Sequence, residues 1–294
     1  MKMEINQISL PILTEKKIKL FIKRIDKIHP FISGNKWYKL KYNLIEAKQK
    51  GYDTILTFGG SYSNHISATS YACKKYNLKS IGIIRGEERQ FLNSTLEFAS
   101  NNNMYLYYIS REKYRLKNTR EFLEELKLKF GHFYLIPEGG NNDLALKGTS
   151  EILDKNDKQN YICCPVGTGG TITGIINSQL SFQKVLGFPV INNSLYIEEK
   201  VASVVNNDNF TFINDYKIGG YAKFDKLLVN FVNEFYKKHK VPLDIIYTGK
   251  MIYGIIDLVS KDFFSKGSSI LAIHTGGLQG NRGMEDRFGI KIIY

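Results

Sequence analysis

Three short stretches of this chain carry side chains that could do chemistry together. Ser33-Gly34-Asn35-Lys36 puts a lysine at the start of an amphipathic helix, just after a strand-like run. Partial desolvation there lowers the proton affinity of the amine and makes it a nucleophile toward carbonyls. Gly167-Thr168-Gly169-Gly170-Thr171 joins a strand to a helix. Its glycines allow backbone N–H groups to turn toward an anion, the helix start adds positive charge, and the threonines can donate. Gly59-Gly60-Ser61-Tyr62-Ser63-Asn64-His65 is a second strand-to-helix turn. Its Ser, Asn and His side chains could form a carboxylate or anion pocket.

Each stretch also has a plainer reading. Lys36 could be a solvated helix lysine, Ser63 an ordinary N-cap, and the glycines simple tight turns. The 167–171 loop is neither a six-residue dinucleotide fingerprint nor a Walker loop, since no Gly-Lys-Ser/Thr follows. A desolvated lysine combined with a phosphate cradle is the equipment of a pyridoxal phosphate (PLP) enzyme.

The elements needed to position these turns are legible in the hydrophobic spacing. Strands are expected at 18–22, 54–58, 80–84, 105–109, 133–136, 161–164, 184–187, 210–213 and 271–274. Helices are expected to carry Trp37, Leu40 and Leu44, then Ala68, Ala72 and Tyr76. Further helices are expected at 91–101, 113–129, from Thr171, near 195–205, at 223–238 and at 250–266. In the helix at 223–238, Phe224, Leu227, Leu228, Phe231 and Phe235 are expected to face inward. This alternation predicts parallel sheets covered by helices, with ligands at the carboxyl ends of strands.

Composition narrows the classes. A chain of 294 residues with 43% hydrophobic content is expected to fold as two lobes. No apolar run is long enough for a membrane span, and the first residues lack a secretory core, so a cytoplasmic enzyme without membrane partners is expected. The three cysteines, Cys73, Cys163 and Cys164, suggest no disulfide framework, and the two neighbours read as core. The formal charge of +13 is spread among acids, as in Glu124-Glu125-Leu126-Lys127, so no nucleic-acid partner is expected. No spacing of His, Cys and carboxylates suggests a metal. His274 reads equally as a core residue or as part of a site-lining turn.

Taken together, Arg24-Ile25-Asp26, Ser33 to Lys36, Gly60 to His65, Gly167 to Thr171, Tyr247-Thr248-Gly249-Lys250 and His274-Thr275-Gly276-Gly277 resemble one family. It is the fold type II PLP enzymes, in the branch of 1-aminocyclopropane-1-carboxylate (ACC) deaminase and D-cysteine desulfhydrase. The resemblance implies a two-domain, tryptophan synthase β-like α/β fold with parallel-rich open twisted sheets. It implies a large PLP-binding domain of residues 1–47 and 148–294, a small domain of 48–147, and a homodimer.

The resemblance also implies roles. Lys36 would carry the cofactor as an imine, and Asn64 would bond its phenolic oxygen. Gly167, Thr168, Gly169, Gly170 and Thr171 would cradle the phosphate. Ser63, Asn64 and His65 would hold the substrate carboxylate. Tyr221 and Tyr247 match two active-site tyrosines, and Thr248 the position facing the pyridine nitrogen. ACC deaminases of the family have Glu at the position of Thr248 and Gln at that of His65, so this pair resembles the desulfhydrase pattern. A threonine there offers a hydrogen bond and makes the ring a weaker electron sink than a carboxylate would. Tyr62 departs from the Gln of the better-known desulfhydrases. The implied reaction is β-elimination from a small D-amino acid, D-cysteine giving pyruvate, ammonia and sulfide. ACC deamination, racemisation and cofactor binding without turnover are the alternatives.

Overall fold

A computed structural model describes residues 3–88, 90–192, 194–205 and 207–294. Its strands in chain order are β1 (Ile5–Ile8), β2 (Lys19–Lys23), β3 (Thr54–Gly60), β4 (Lys79–Arg85), β5 (Met104–Ile109), β6 (Tyr134–Ile136), β7 (Tyr161–Val166), β8 (Lys184–Pro189), β9 (Phe210–Phe212) and β10 (Ser269–Ile273). The chain forms two compact units, Met1–Asn35 with Leu146–Tyr294, and Lys36–Ala145.

The first unit holds a six-stranded sheet in the order β1-β2-β10-β7-β8-β9. β1 runs antiparallel to β2, while the other neighbours are parallel. Parallel strands need crossovers, and helices supply them. The inner strands are nearly continuous apolar runs, as burial on both faces requires. Leu20, Ile22, Cys163, Leu186, Phe188, Ile270 and Ala272 pack against Leu228, Val232, Phe235, Ile252, Ile255 and Val259 of two covering helices. Each fully buried aliphatic side chain contributes about 1.5–3 kcal/mol.

The second unit holds a four-stranded parallel sheet in the order β5-β4-β3-β6. Helix Asn35–Gln49, expected to belong with the larger lobe, falls in this unit from Lys36 onward. Tyr134 donates to Glu46 at 2.5 Å and to Asn43 at 3.3 Å, and Asn43 donates to Asn142 at 3.1 Å. These partners lie about ninety to a hundred residues downstream, beyond the reach of hydrophobic spacing.

Several expected elements shift. The single helix at 113–129 is two, Arg111–Arg115 and Arg120–Phe130, because Thr119 caps the second by accepting from Phe122 N. The helix expected at 223–238 starts at Lys226, capped by Asp225, and Leu227 faces outward with 67% of its surface exposed. The helix expected at 250–266 is Thr248–Ser260, and Asp262 beyond it adopts a positive φ of 57°. β1 and the helices Pro11–Glu15, Asp143–Thr149 and Gln279–Phe288 add to the expected set.

Among the described residues three lysines are buried, and each holds a loop. Lys23 pairs with Asp157, Lys39 donates to the Gly139 carbonyl at 3.0 Å, and Lys250 donates to two carbonyls. Among the described residues no helix is long and apolar enough to cross a membrane. Cys73, Cys163 and Cys164 are buried thiols in the core and are not joined in a disulfide.

Candidate active site

The candidate residues fall into two groups, one in each unit. In Lys36–Ala145, Lys36 stands in the first turn of helix Asn35–Gln49. It keeps part of its surface exposed, yet burial draws its amine from 10.5 down to about 8. A lysine of that affinity exchanges its proton near neutral pH, as an imine-forming amine or a general base must.

β3 ends in the Gly59-Gly60 turn, and helix Asn64–Lys75 follows. A Cβ on Gly59 would lie 2.5 Å from the Ile66 side chain, so only glycine fits this tight turn. Ser63 caps the helix, its Oγ accepting from His65 N and Ile66 N, both at 3.2 Å. Asn64 opens the first turn.

The ring of His65 turns inward and is 2% exposed. Thr57 Oγ1 donates its hydrogen to the Ile136 carbonyl at 2.8 Å, so at 2.9 Å it must accept from His65 Nε2–H. Nδ1 therefore carries a bare lone pair, and among the described residues no group bonds it. Burial, then the charges of Lys36 and Lys39, push the ring well below 6.5, so it stays neutral. A lone pair cannot donate to a carboxylate. In this arrangement the ring presents an acceptor at Nδ1 rather than a donor.

The second group lies in Met1–Asn35 and Leu146–Tyr294. The glycine loop sits where β7 ends and helix Gly170–Ser178 begins. Gly169, at φ 88°, stands at the N-cap and supplies no side-chain cap. The first-turn N–H groups therefore have no capping oxygen from that residue, which is the condition for holding an anion. Asn35 Nδ2 donates to Thr171 Oγ1 at 2.8 Å, leaving the threonine hydrogen for another acceptor. A Cβ on Gly167 would meet the Tyr247 ring at 3.2 Å, so the loop and the tyrosine are in close contact. A glycine cradle at a helix start without a side-chain cap, with the Thr171 hydroxyl hydrogen beside it, fits a phosphate.

Tyr221 and Tyr247 meet edge to face, their ring centroids 6.1 Å apart. Burial first, then Tyr221 and the Asp244 charge, push the Tyr247 phenol well above 10. It stays protonated and can donate. Thr248 is fully buried at the head of helix Thr248–Ser260. Its Oγ1 accepts from Asp244 N at 2.9 Å and donates to Asp244 Oδ1 at 2.6 Å. Its hydrogen is therefore committed to a carboxylate.

The Ser33-Gly34 turn is pinned to the Thr275-Gly276 turn. Asn35 N donates to the Thr275 carbonyl at 3.1 Å, and a Cβ on Gly34 would lie 1.9 Å from that oxygen. His274 is a core residue. Its Nδ1 accepts from Gly276 N at 3.3 Å, and its Nε2 lies 2.5 Å from the Pro242 carbonyl.

Sequence reasoning missed three residues. Asp244 accepts from Ile246 N, Tyr247 N and Thr248 N and so fixes the start of that helix. An aspartate two to four residues ahead of a helix is a capping signal that could have revealed it. Asn35 and Lys250 stand inside two of the candidate stretches but had no role assigned, because their partners lie far along the chain.

Comparison with known proteins fits this equipment. The family described as pyridoxal-phosphate dependent enzyme matches residues 6–276. The mitochondrial bifunctional D-cysteine desulfhydrase/1-aminocyclopropane-1-carboxylate deaminase of Arabidopsis thaliana is 34% identical over 293 residues, covering 89% of this chain and 73% of the relative. The D-cysteine desulfhydrase of Klebsiella pneumoniae is 26% identical, covering 88% and 86%. A crystal structure titled as that of an ACC deaminase homologue superimposes with a TM-score of 0.83 at 27% identity, covering 98% of this chain and 93% of that one.

Proposed function

Because the chain belongs to the pyridoxal-phosphate-dependent enzymes, in the family of ACC deaminase and D-cysteine desulfhydrase, we propose that it converts a small amino acid to a 2-oxo acid and ammonia, with D-cysteine as the leading substrate. Its cofactor supplies an electron sink for the negative charge left on the α-carbon. Lys36 Nζ attaches the cofactor and, once released, takes the α-proton. The place of Lys36, in the first turn of a helix whose Gly34-Asn35 start is pinned to the Thr275 carbonyl, carries this reading, and its lowered proton affinity agrees with it. An ordinary lysine would hold its proton too tightly at neutral pH.

Tyr247 Oη keeps its hydrogen and donates a hydrogen bond to the departing sulfur, while the Tyr221 ring orients that phenol. Gly167 to Thr171 bind the phosphate, Asn64 the phenolic oxygen, and Ser63 with Asn64 the substrate carboxylate. The choice of D-cysteine rests on Thr248 and His65 standing where deaminases of the family carry Glu and Gln. ACC opening to 2-oxobutyrate is the second reading. It is supported by the bifunctional relative and by the Asp244 carboxylate directly behind Thr248.

Cofactor-saturated protein is to be assayed with D-cysteine, ACC, β-chloro-D-alanine, D-serine and L-cysteine, reading pyruvate, 2-oxobutyrate, sulfide and ammonia. Sulfide and pyruvate from D-cysteine support the leading reading, and 2-oxobutyrate alone the second. No 2-oxo acid from any substrate overturns both. A homodimer in the cytoplasm belongs to the same proposal, and a solution mass twice that of one chain tests the assembly.

A further inference from the structure

Lys250 is buried in helix Thr248–Ser260, 1% exposed, and takes part in none of the steps above. Its Nζ donates to the Lys217 carbonyl at 2.6 Å and the Gly220 carbonyl at 2.7 Å. Both belong to the turn that presents Tyr221. That turn is held in an unusual conformation. Ile218, Gly219, Gly220 and Ala222 all have positive φ, of 47°, 75°, 103° and 54°. Glycine accepts such angles, but a β-branched isoleucine and an alanine are strained by them. Strain of this kind persists only where neighbouring contacts enforce it, and it gathers at functional sites.

The enforcing contacts can be named. A Cβ on Gly220 would stand 2.5 Å from Asn192 Oδ1, so the turn is pressed against that side chain. Lys250 also draws two of the turn's carbonyls toward one amine. Tyr221 lies immediately after Gly220. It is 49% exposed, so packing alone does not hold it, yet its ring meets Tyr247 at 6.1 Å. Lys250 and Tyr247 are three residues apart at the start of one helix, so the strut and the ring that Tyr221 meets move together.

We propose that Lys250 is a positioning residue that acts through Tyr221, its ammonium holding the strained 217–222 turn so that the Tyr221 phenol stays against Tyr247. This rests on the proposed role of Tyr221 in the site.

The test is a double-mutant cycle on the cofactor-loaded enzyme, with Lys250→Met, Tyr221→Phe and the double variant. Lys250→Met is expected to lower kcat/KM at least tenfold when Tyr221 is present and less than twofold in the Tyr221→Phe background. The same loss in both backgrounds overturns the inference, because Lys250 would then act on stability or through another group. An unaffected Tyr221→Phe variant instead overturns the role given to Tyr221, which keeps the two failures apart. A second readout is the fluorine signal of fluorotyrosine at position 221, which Lys250→Met is expected to shift and broaden. An unchanged signal counts against the strut. If the Met variant does not fold, Lys250→Arg carries the same cycle, because a longer stem displaces the turn while keeping the donors.

Discussion

Replacing Lys36 by methionine is expected to stabilise the cofactor-free protein, and to do so less as pH rises. Methionine keeps most of the length of the stem and removes the amine. Burial lowers the amine from 10.5 to about 8 in the folded chain. At about 1.4 kcal/mol for each tenfold change in proton affinity, the folded protein bears a penalty of about 3 kcal/mol for holding that charge. The side chain is still partly wetted, so about 1–3 kcal/mol is expected. Below about pH 8 the amine is charged in both folded and unfolded chains, and the whole penalty stands. Between about 8 and 10.5 the folded chain sheds its proton first, and the penalty shrinks. The gain from Lys36→Met should therefore be largest at about pH 7 and fall to less than half by about pH 9.5. Urea unfolding at the two pH values measures it. Trp37, the only tryptophan of the chain, stands next to the substitution and reports it by fluorescence. No gain at the lower pH, or an equal gain at both, would refute the claim that burial sets this amine's affinity.

Three further outcomes are expected. Gly34→Ala drives a Cβ into the Thr275 carbonyl at 1.9 Å and should abolish cofactor loading, whereas Gly51→Ala, with φ 75° and nothing within 4 Å, should cost only about 1–2 kcal/mol and leave loading intact. Spectrophotometric titration with PLP and thermal melting separate the two. Thr248→Val removes a donor from the buried Asp244 carboxylate and an acceptor from Asp244 N, and should cost about 1–3 kcal/mol in urea unfolding, while Thr248→Ser restores most of it. Burial lifts the Cys73 thiol to about 12 and Cys163 well above 9, so neither should react with a disulfide reagent at about pH 8 until the protein is unfolded.

Much of the architecture was legible from local pattern. The β3, β7 and β10 strands are short apolar runs with glycine at or near their ends, and such runs have few other ways to be buried. The turns at their ends need glycine for backbone reasons that act within a few residues, so the candidate stretches could be found before any fold was known. The break in the helix expected at 113–129 is invisible to periodicity. Leu116 and Leu126 keep an apolar rhythm across it, while Thr119 sets it by a side-chain bond. The outward turn of Leu227 is equally hidden, because residues on either side of the buried stripe are just as apolar.

What the linear order of residues determined is the inventory: an amine at 36, an anion cradle at 167–171, two tyrosines and a threonine at the ends of strands or heads of helices. What only the folded chain decided is where each hydrogen sits. Thr248 commits its hydroxyl hydrogen to the Asp244 carboxylate, His65 presents a bare nitrogen because Thr57 donates its hydrogen to Ile136, and Lys36 loses affinity for its proton by being enclosed. Proton placement depends on the two or three atoms nearest each group and on exclusion of water, and most of those neighbours are brought in from elsewhere along the chain.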